Sequence, residues 1–459
     1  MPSGHDILVG GVVSSGFLLL IAAAELWRRI GDPPVEWTRK LVHVGGGLIC
    51  LVLPLVITSH WVVLTMALGM AALFVATRAL GWLPSVHGVQ RAGHGTVFYP
   101  LVVYLLFVLS HGQPWRYFIC ILVLAVSDGM AALVGGRYGR IRYEVEDEWK
   151  SLEGSVVFLI VTFVAVQVPL VVWPDPQNLL PSAANCVLAA LLVAMLVTAF
   201  EAISLGGSDN LWVPIGTYFV LGRVLRLELL DIALLNVSLV AICVAVGMTA
   251  WKTQAFNVGG TLAFILFAFA SWALGSFHWA LPLFIGYAAY LGSLYVGRES
   301  LTVKVLPVVR ALLPPFLVLM AANVAWHYDR ADVYRFLFGP YLAGCIVVLM
   351  QSVWNQLRRD YEPPFWMRQV GAAALTVLLW LLLAAPVWLL QSQVSWVSFV
   401  CVGISCLLAG NLHDALVIGQ PPQDVTRRWI IARVAVTCTA MLIVAAFQLS
   451  GIAASWQPW

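Results

Sequence analysis

The chain is poor in charge. Its 459 residues include 25 Lys or Arg and 22 Asp or Glu, a charged fraction of 10%, where soluble domains carry about 25%. Lysine is the scarcest base, with four residues: Lys40, Lys150, Lys252 and Lys304. Charge this dilute excludes a secreted enzyme, a charge-laced coiled coil and a disordered scaffold. A net charge of +3 is too small to mark a nucleic-acid binder or to call for an acidic partner. Signature motifs are missing as well. There is no GxxxxGK(S/T) phosphate loop and no kinase-type Gly-rich loop followed by HRD and DFG, so nucleotide chemistry here needs another scaffold. The eight cysteines form no CxxC pair and no histidines cluster at metal-ligand spacing. They read as small buried hydrophobes.

What is present is apolar sequence. Hydrophobic residues make up 61% of the chain, and a membrane-spanning helix needs roughly 20 of them in succession. Sixteen runs follow one another at 7–27, 41–58, 61–77, 96–110, 117–135, 154–173, 183–205, 211–226, 229–250, 257–275, 279–297, 305–326, 336–356, 369–391, 394–411 and 431–453. They predict an all-α, polytopic transmembrane helical bundle of about 15–16 spans. The first run lacks a preceding basic region and is full length, so it reads as a retained span rather than a cleavable signal. The segment 211–226 contains Pro214 and reads alternatively as re-entrant. With the amino terminus outside, 20 of the 25 basic residues fall in cytoplasmic loops. On that reading the polar segments 28–43, 78–95, 136–153 and 201–210 share one face and can form one site.

Content divides the chain. Residues 1–250 hold loops with clustered acids, bases and glycines, whereas 251–459 have short connections and scattered charges. The first half therefore reads as a catalytic membrane domain and the second as an additional helical domain.

Four constellations in the first half can carry chemistry. In EWTRKLVHVGGGL, Arg39, Lys40 and His43 stand three and four residues apart, so they share a helix face and suit a polyphosphate. An ordinary basic anchor at the membrane interface is the plainer alternative. In VSDGMAALVGGRYGR, Asp128 lies inside an apolar run, about seven residues or roughly 10 Å of helix rise from the glycines that end it. A carboxylate at that depth should face a polar cavity, a cation or a metal. Gly135, Gly136 and Gly139, with Arg137 between them, form a candidate phosphate-approaching loop, or else a close helix contact with a C-cap. In EVEDEWKSLEGSVVF, the acids Glu144, Glu146, Asp147 and Glu148 read as a solvated loop, while Lys150, Ser151 and Glu153 start the next span, where free backbone N–H groups favour an anion. In FEAISLGGSDNLWVPIG, Glu201 ends a span, and Asp209 and Asn210 offer oxygen ligands for a hard cation, unless the segment is a plain turn. Together, Asp128, Glu153 and Asp209 with Arg39, Lys40 and Lys150 are what magnesium-dependent phosphoryl transfer asks for.

These blocks resemble a known family. RKLVHVGGG (39–47), RAGHGTVFYP (91–100), SDGMAALVGGRYG (127–139), KSLEGS (150–155) and DNLWVP (209–214) are similar, in order, to motifs of the integral-membrane CTP-dependent lipid kinases: dolichol kinase, phytol or farnesol kinase, and the CTP-dependent diacylglycerol kinase. The resemblance implies that Arg39, Lys40, Asp128 and Gly135 are required for activity, with Arg39, Lys40 and Lys150 neutralising the triphosphate. It implies nucleotide contacts from His43, Gly135, Gly136, Arg137, Gly139, Lys150 and Ser151, and Mg²⁺ held by Asp128, Glu153, Asp209 and Asn210. The expected substrates are CTP and a membrane isoprenoid alcohol. Diacylglycerol phosphorylation and cytidylyl transfer to a lipid phosphate are the enzymatic alternatives; a lipid transporter or scramblase is the alternative from another class. The resemblance stops near residue 250, beyond which Arg310, His327, Arg330, His413 and Asp414 read as interfacial loop residues.

Overall fold

The computed structural model describes residues 2–87, 95–146, 148–173, 182–295, 302–358, 364–390, 395–416 and 427–455. Arg91 and the rest of RAGH, and Asp147 of the acidic cluster, lie outside them. Each of the sixteen apolar runs forms a helix. Among the described residues thirteen helices are long and apolar enough to cross a membrane; Gly95–Leu109, Asp209–Val224 and Phe277–Leu294 are shorter or less apolar. The protein is therefore an all-α, multi-pass membrane bundle. Large apolar side chains such as Leu19, Leu68, Val171 and Leu442 stay exposed on helix surfaces, as contact with lipid tails allows. Six of the eight cysteines are buried, while Cys243 is exposed and Cys438 intermediate.

Local chemistry fixes where these helices start. Ser3, Ser151, Ser182 and Asn257 cap theirs by accepting an N–H from three residues ahead. Pro214 sits inside Asp209–Val224 without interrupting it, so this segment is one continuous helix. The loop expected at 136–153 instead contains an antiparallel hairpin, Arg142–Val145 against Glu148–Ser151. Glu146 turns it with φ 53°.

The chain forms two compact units, Met1–Val237 and Ser238–Trp459, and the change falls within the helix Leu229–Thr253. In the first unit, Val35–Cys50 packs against the long helix Pro114–Tyr138. Small residues set how closely they meet. A Cβ on Gly47 would lie 2.2 Å from the Ala125 Cβ and 2.7 Å from the Tyr99 hydroxyl, and one on Gly129 would lie 2.4 Å from Val44 Cγ2. Such close approach is what small residues permit between membrane helices. Gly47→Ala should force the pair apart at a cost of about 1–3 kcal/mol, read as a lower Tm in detergent; an unchanged Tm would show that the contact is soft. In the second unit, Ala331–Leu357 is the central helix, buried along most of its length.

Candidate active site

Pro114–Tyr138 changes character just before its carboxylate. Val123–Ser127 is a π-helical turn that runs into Asp128. Such turns leave the regular hydrogen-bond ladder irregular and frequently accompany functional sites. Here the Leu124 carbonyl meets His43 Nε2 at 3.0 Å. The same nitrogen lies 3.1 Å from Asp128 Oδ2, and Lys40 Nζ donates to that oxygen at 2.6 Å. Lys40 is 3% exposed and Asp128 9%. The deep carboxylate thus has a buried ammonium and an imidazole on one oxygen, and the shared helix face of Lys40 and His43 delivers both. Tyr99 supports this arrangement, donating to the His43 carbonyl at 3.0 Å with its ring edge-on to the imidazole.

A second pair stands nearby. Lys150, on the second hairpin strand, donates to Glu201 Oε1 at 2.8 Å and to the Glu201 carbonyl. Burial opposes the charge on Lys150, but the Glu201 and Asp209 carboxylates outweigh it and hold the ammonium above the ordinary lysine range. Arg39 is less covered and is braced by Glu36, its Nε donating to Oε2 at 3.0 Å. Glu148 reaches over to accept from the Gly206 amide at 3.0 Å, where Gly206 and Gly207 turn with φ of 58° and 79°.

All of these groups face one cavity of about 630 Å³. Arg39, Lys40, His43, Asp128, Gly135, Gly136, Lys150, Ser151, Asp209 and Asn210 line it; Arg137, Gly139 and Glu153 do not. Glu153 is spent elsewhere, accepting the Arg140 amide at 2.9 Å and the Ile141 amide at 3.2 Å. Arg137 is exposed and lies over the Tyr138 ring. The glycines require a correction: Gly135 and Gly136 belong to the helix Asp128–Tyr138, not to a loop. Their amides are therefore committed to helical bonds, and the Gly139 amide donates to the Gly135 carbonyl at 3.1 Å. Gly135 is small for packing, since a Cβ there would lie 2.7 Å from Ser151 Oγ and 3.2 Å from Gly154 Cα. Ser151 Oγ is itself the cap of the next helix.

The cavity is polar at one end and apolar at the other. Along Val35–Cys50 its lining runs from Glu36 to Cys50, and along His60–Ala79 from Arg78 to Val63. Fourteen or fifteen residues of helix span about 21–22 Å, well over half of a hydrocarbon core about 30 Å thick. Met66, Ala67, Met70 and Phe74 supply an apolar wall. Glu36, Glu148, Glu201 and Tyr99 complete the ionic end and were not singled out as site groups by their spacing.

Among the described residues the lining carries five acidic and five basic side chains: Glu36, Asp128, Glu148, Glu201 and Asp209 against Arg39, Lys40, Arg78, Arg142 and Lys150. Among the described residues no three His, Cys, Asp or Glu side chains come together at metal-ligand spacing. Magnesium does not demand that, because it keeps several waters and binds through one or two carboxylates plus substrate phosphates. The Asn210 Oδ1 is buried with no hydrogen-bond partner among the described residues, and its neighbour Asp209 also lines the cavity. These two oxygen donors fit a magnesium–nucleotide better than Asp128, whose Oδ2 is already shared.

No protein-family model matches the chain, and no solved structure matches it. A phytol kinase from Synechocystis sp. is 34% identical over 212 residues, which is 46% of this chain and 88% of that protein. The ordered motifs and their convergence on one cavity accord with that likeness, and the chain belongs to the phytol kinase family of membrane lipid-alcohol kinases.

Proposed function

We propose that the protein is a CTP-dependent kinase that phosphorylates the hydroxyl of a membrane isoprenoid alcohol. The observation that carries this is one cavity that has both an ionic end and an apolar wall. The alcohol enters laterally from the membrane and lays its chain against Met66, Met70 and Phe74; the nucleotide reaches the ionic end from the cytoplasm. The choice of CTP rests on the five motif blocks.

Catalysis of this kind is positioning and charge neutralisation. Lys150 and Arg39 draw in the triphosphate. Asp209 and Asn210 would hold a magnesium ion, which would supply neutralisation of the charge on the phosphate oxygens. Asp128, fixed through Oδ2 by Lys40 and His43, keeps Oδ1 for the substrate hydroxyl and orients it toward the γ-phosphorus. The alcohol oxygen forms the new P–O bond and gives up its proton along the hydrogen bond to Asp128, the bond to the β-phosphate oxygen breaks, and CDP leaves.

Purified protein with Mg²⁺ should transfer ³²P from γ-labelled CTP to phytol, farnesol or a longer polyprenol and release CDP. Pyrophosphate in place of CDP would make it a cytidylyltransferase. No transfer from any nucleotide to any lipid alcohol or diacylglycerol, in protein shown to be folded, would overturn the kinase reading.

A further inference from the structure

The apolar end of the cavity has a depth that two helices measure separately. Along His60–Ala79 the lining residues Val63, Ala67, Met70 and Phe74 recur three and four positions apart, one stripe of a single helix face. From Val63 to Phe74 the helix rises about 16 Å, and Arg78, one turn on, belongs to the ionic end. The second measure starts from the reacting centre. Lys40 and His43 hold Asp128, and among the described residues the lining beyond them on the same span ends at Cys50 and Leu53. Leu51 and Val52 keep helical backbone angles between those two, so His43 to Leu53 is also a rise of about 15 Å.

Among the described residues the far end is closed. Leu53 and Val63 are 1% and 2% exposed, and they share one packed cluster with Ile57, Val102, Leu106 and Tyr117, all buried. Polar contacts hold this floor in place from two sides. The Tyr117 hydroxyl donates to the Cys50 carbonyl at 3.1 Å. Thr58, just past Leu53–Val56, donates its amide to one oxygen of Asp6 and its hydroxyl to the other, each at 3.0 Å. Asp6 is itself buried in the first turn of Gly4–Gly31, so the chain that closes the cavity is pinned across to the first helix. A close-packed floor of this kind does not make room for added methylenes without strain.

An isoprenoid chain can be compared directly with this depth. Carbon–carbon bonds of about 1.5 Å advance an extended chain by about 1.25 Å each, so one four-carbon isoprene repeat covers about 5 Å. Three repeats with the hydroxyl at Asp128 fill the compartment when extended, and a fourth is accommodated when the chain bends. We propose that Leu53 and Val63 form a ruler that limits the alcohol to about three or four isoprene repeats. Long polyprenols would have to leave most of their chain outside the compartment. The proposal rests on the kinase reading and adds to it the residues that choose among isoprenoid alcohols.

The test is initial-rate phosphorylation by the full chain in detergent micelles, with labelled CTP and the series geraniol, farnesol, geranylgeraniol and undecaprenol. Wild type should favour farnesol and geranylgeraniol over undecaprenol by roughly tenfold or more in kcat/KM. Val63→Phe raises the floor and should lower the ratio of geranylgeraniol to geraniol by roughly tenfold or more. Leu53→Ala lowers the floor and should raise the ratio of geranylgeraniol to farnesol. Because each readout is a ratio, a general loss of activity in either variant cancels; should both variants fail to fold, the wild-type series decides. Undecaprenol phosphorylated as well as farnesol, or a Val63→Phe ratio equal to that of wild type, overturns the ruler and leaves the kinase standing. Folded wild type that phosphorylates none of the alcohols overturns the kinase reading beneath it.

Discussion

Lys40→Met is expected to abolish phosphoryl transfer and to lower stability by about 3–5 kcal/mol, the cost of leaving one partner of a buried pair uncompensated. Lys40 is the ammonium that touches Asp128, at 2.6 Å, and both side chains are buried. His43 remains, but its imidazole Nε2 is divided between Asp128 and the Leu124 carbonyl. The double replacement Lys40→Met/Asp128→Leu separates structure from chemistry. Removing both charges together recovers most of the lost stability, because apolar pairs of similar volume replace buried ion pairs at little cost, while activity stays absent. Thermal unfolding in detergent and the labelled-CTP assay read the two effects. Lys40→Met protein with near wild-type turnover would show that Asp128 is not held for catalysis by this contact.

The fold was legible because its driving pattern is local. Each apolar run is long enough to be recognised on its own, and each became a helix. The site was legible residue by residue, but its partnerships were not. Lys40 and Asp128 stand 88 residues apart and Lys150 and Glu201 stand 51 apart, and no spacing rule relates them. Glu36 and Glu148 look like an ordinary helix start and a solvated acid until Arg39 and the Gly206 amide are placed against them. The glycines of VGGRYG were ambiguous for a physical reason. A glycine chosen for close helix packing and one chosen for a phosphate loop look alike in sequence, and only the Gly135 contact with Ser151 and Gly154 separates them. A signal that could have found the π-helical turn is the lone carboxylate itself, since an acid inside an apolar run needs some local device to present it. In the second half, His413 and Asp414 were misread because two polar residues near the end of a run resemble a loop, whereas the helix carries them to residue 416 and buries both.

Lys150→Ala is expected to raise KM for the nucleotide and to reduce kcat/KM by about 10²–10³-fold, the loss typical when one preorganised donor to a developing charge is removed. The geometry makes this lysine unusual. It is not waiting free for phosphate but is held by Glu201, through the carboxylate at 2.8 Å and the backbone carbonyl. A triphosphate must share Lys150 with Glu201 or take it over. Glu201→Gln, which keeps the shape and removes the competing charge, should therefore tighten nucleotide binding at neutral pH. It should also remove Glu201's share of the hold on the Lys150 proton, leaving Asp209 alone to oppose burial. The sign follows from linkage. A lysine whose folded pKa lies above its unfolded value stabilises the fold fully below the unfolded pKa, near 10.4, and loses that contribution as pH rises through the folded one. Wild-type Tm should thus hold level from neutral pH to about pH 10 with respect to this group, then fall. Lys150→Ala should lack that alkaline step, and Glu201→Gln should shrink it. If instead Glu201→Gln weakens nucleotide binding as much as Lys150→Ala does, Glu201 is a brace that aims the ammonium rather than a competitor for it, and the takeover by phosphate is wrong.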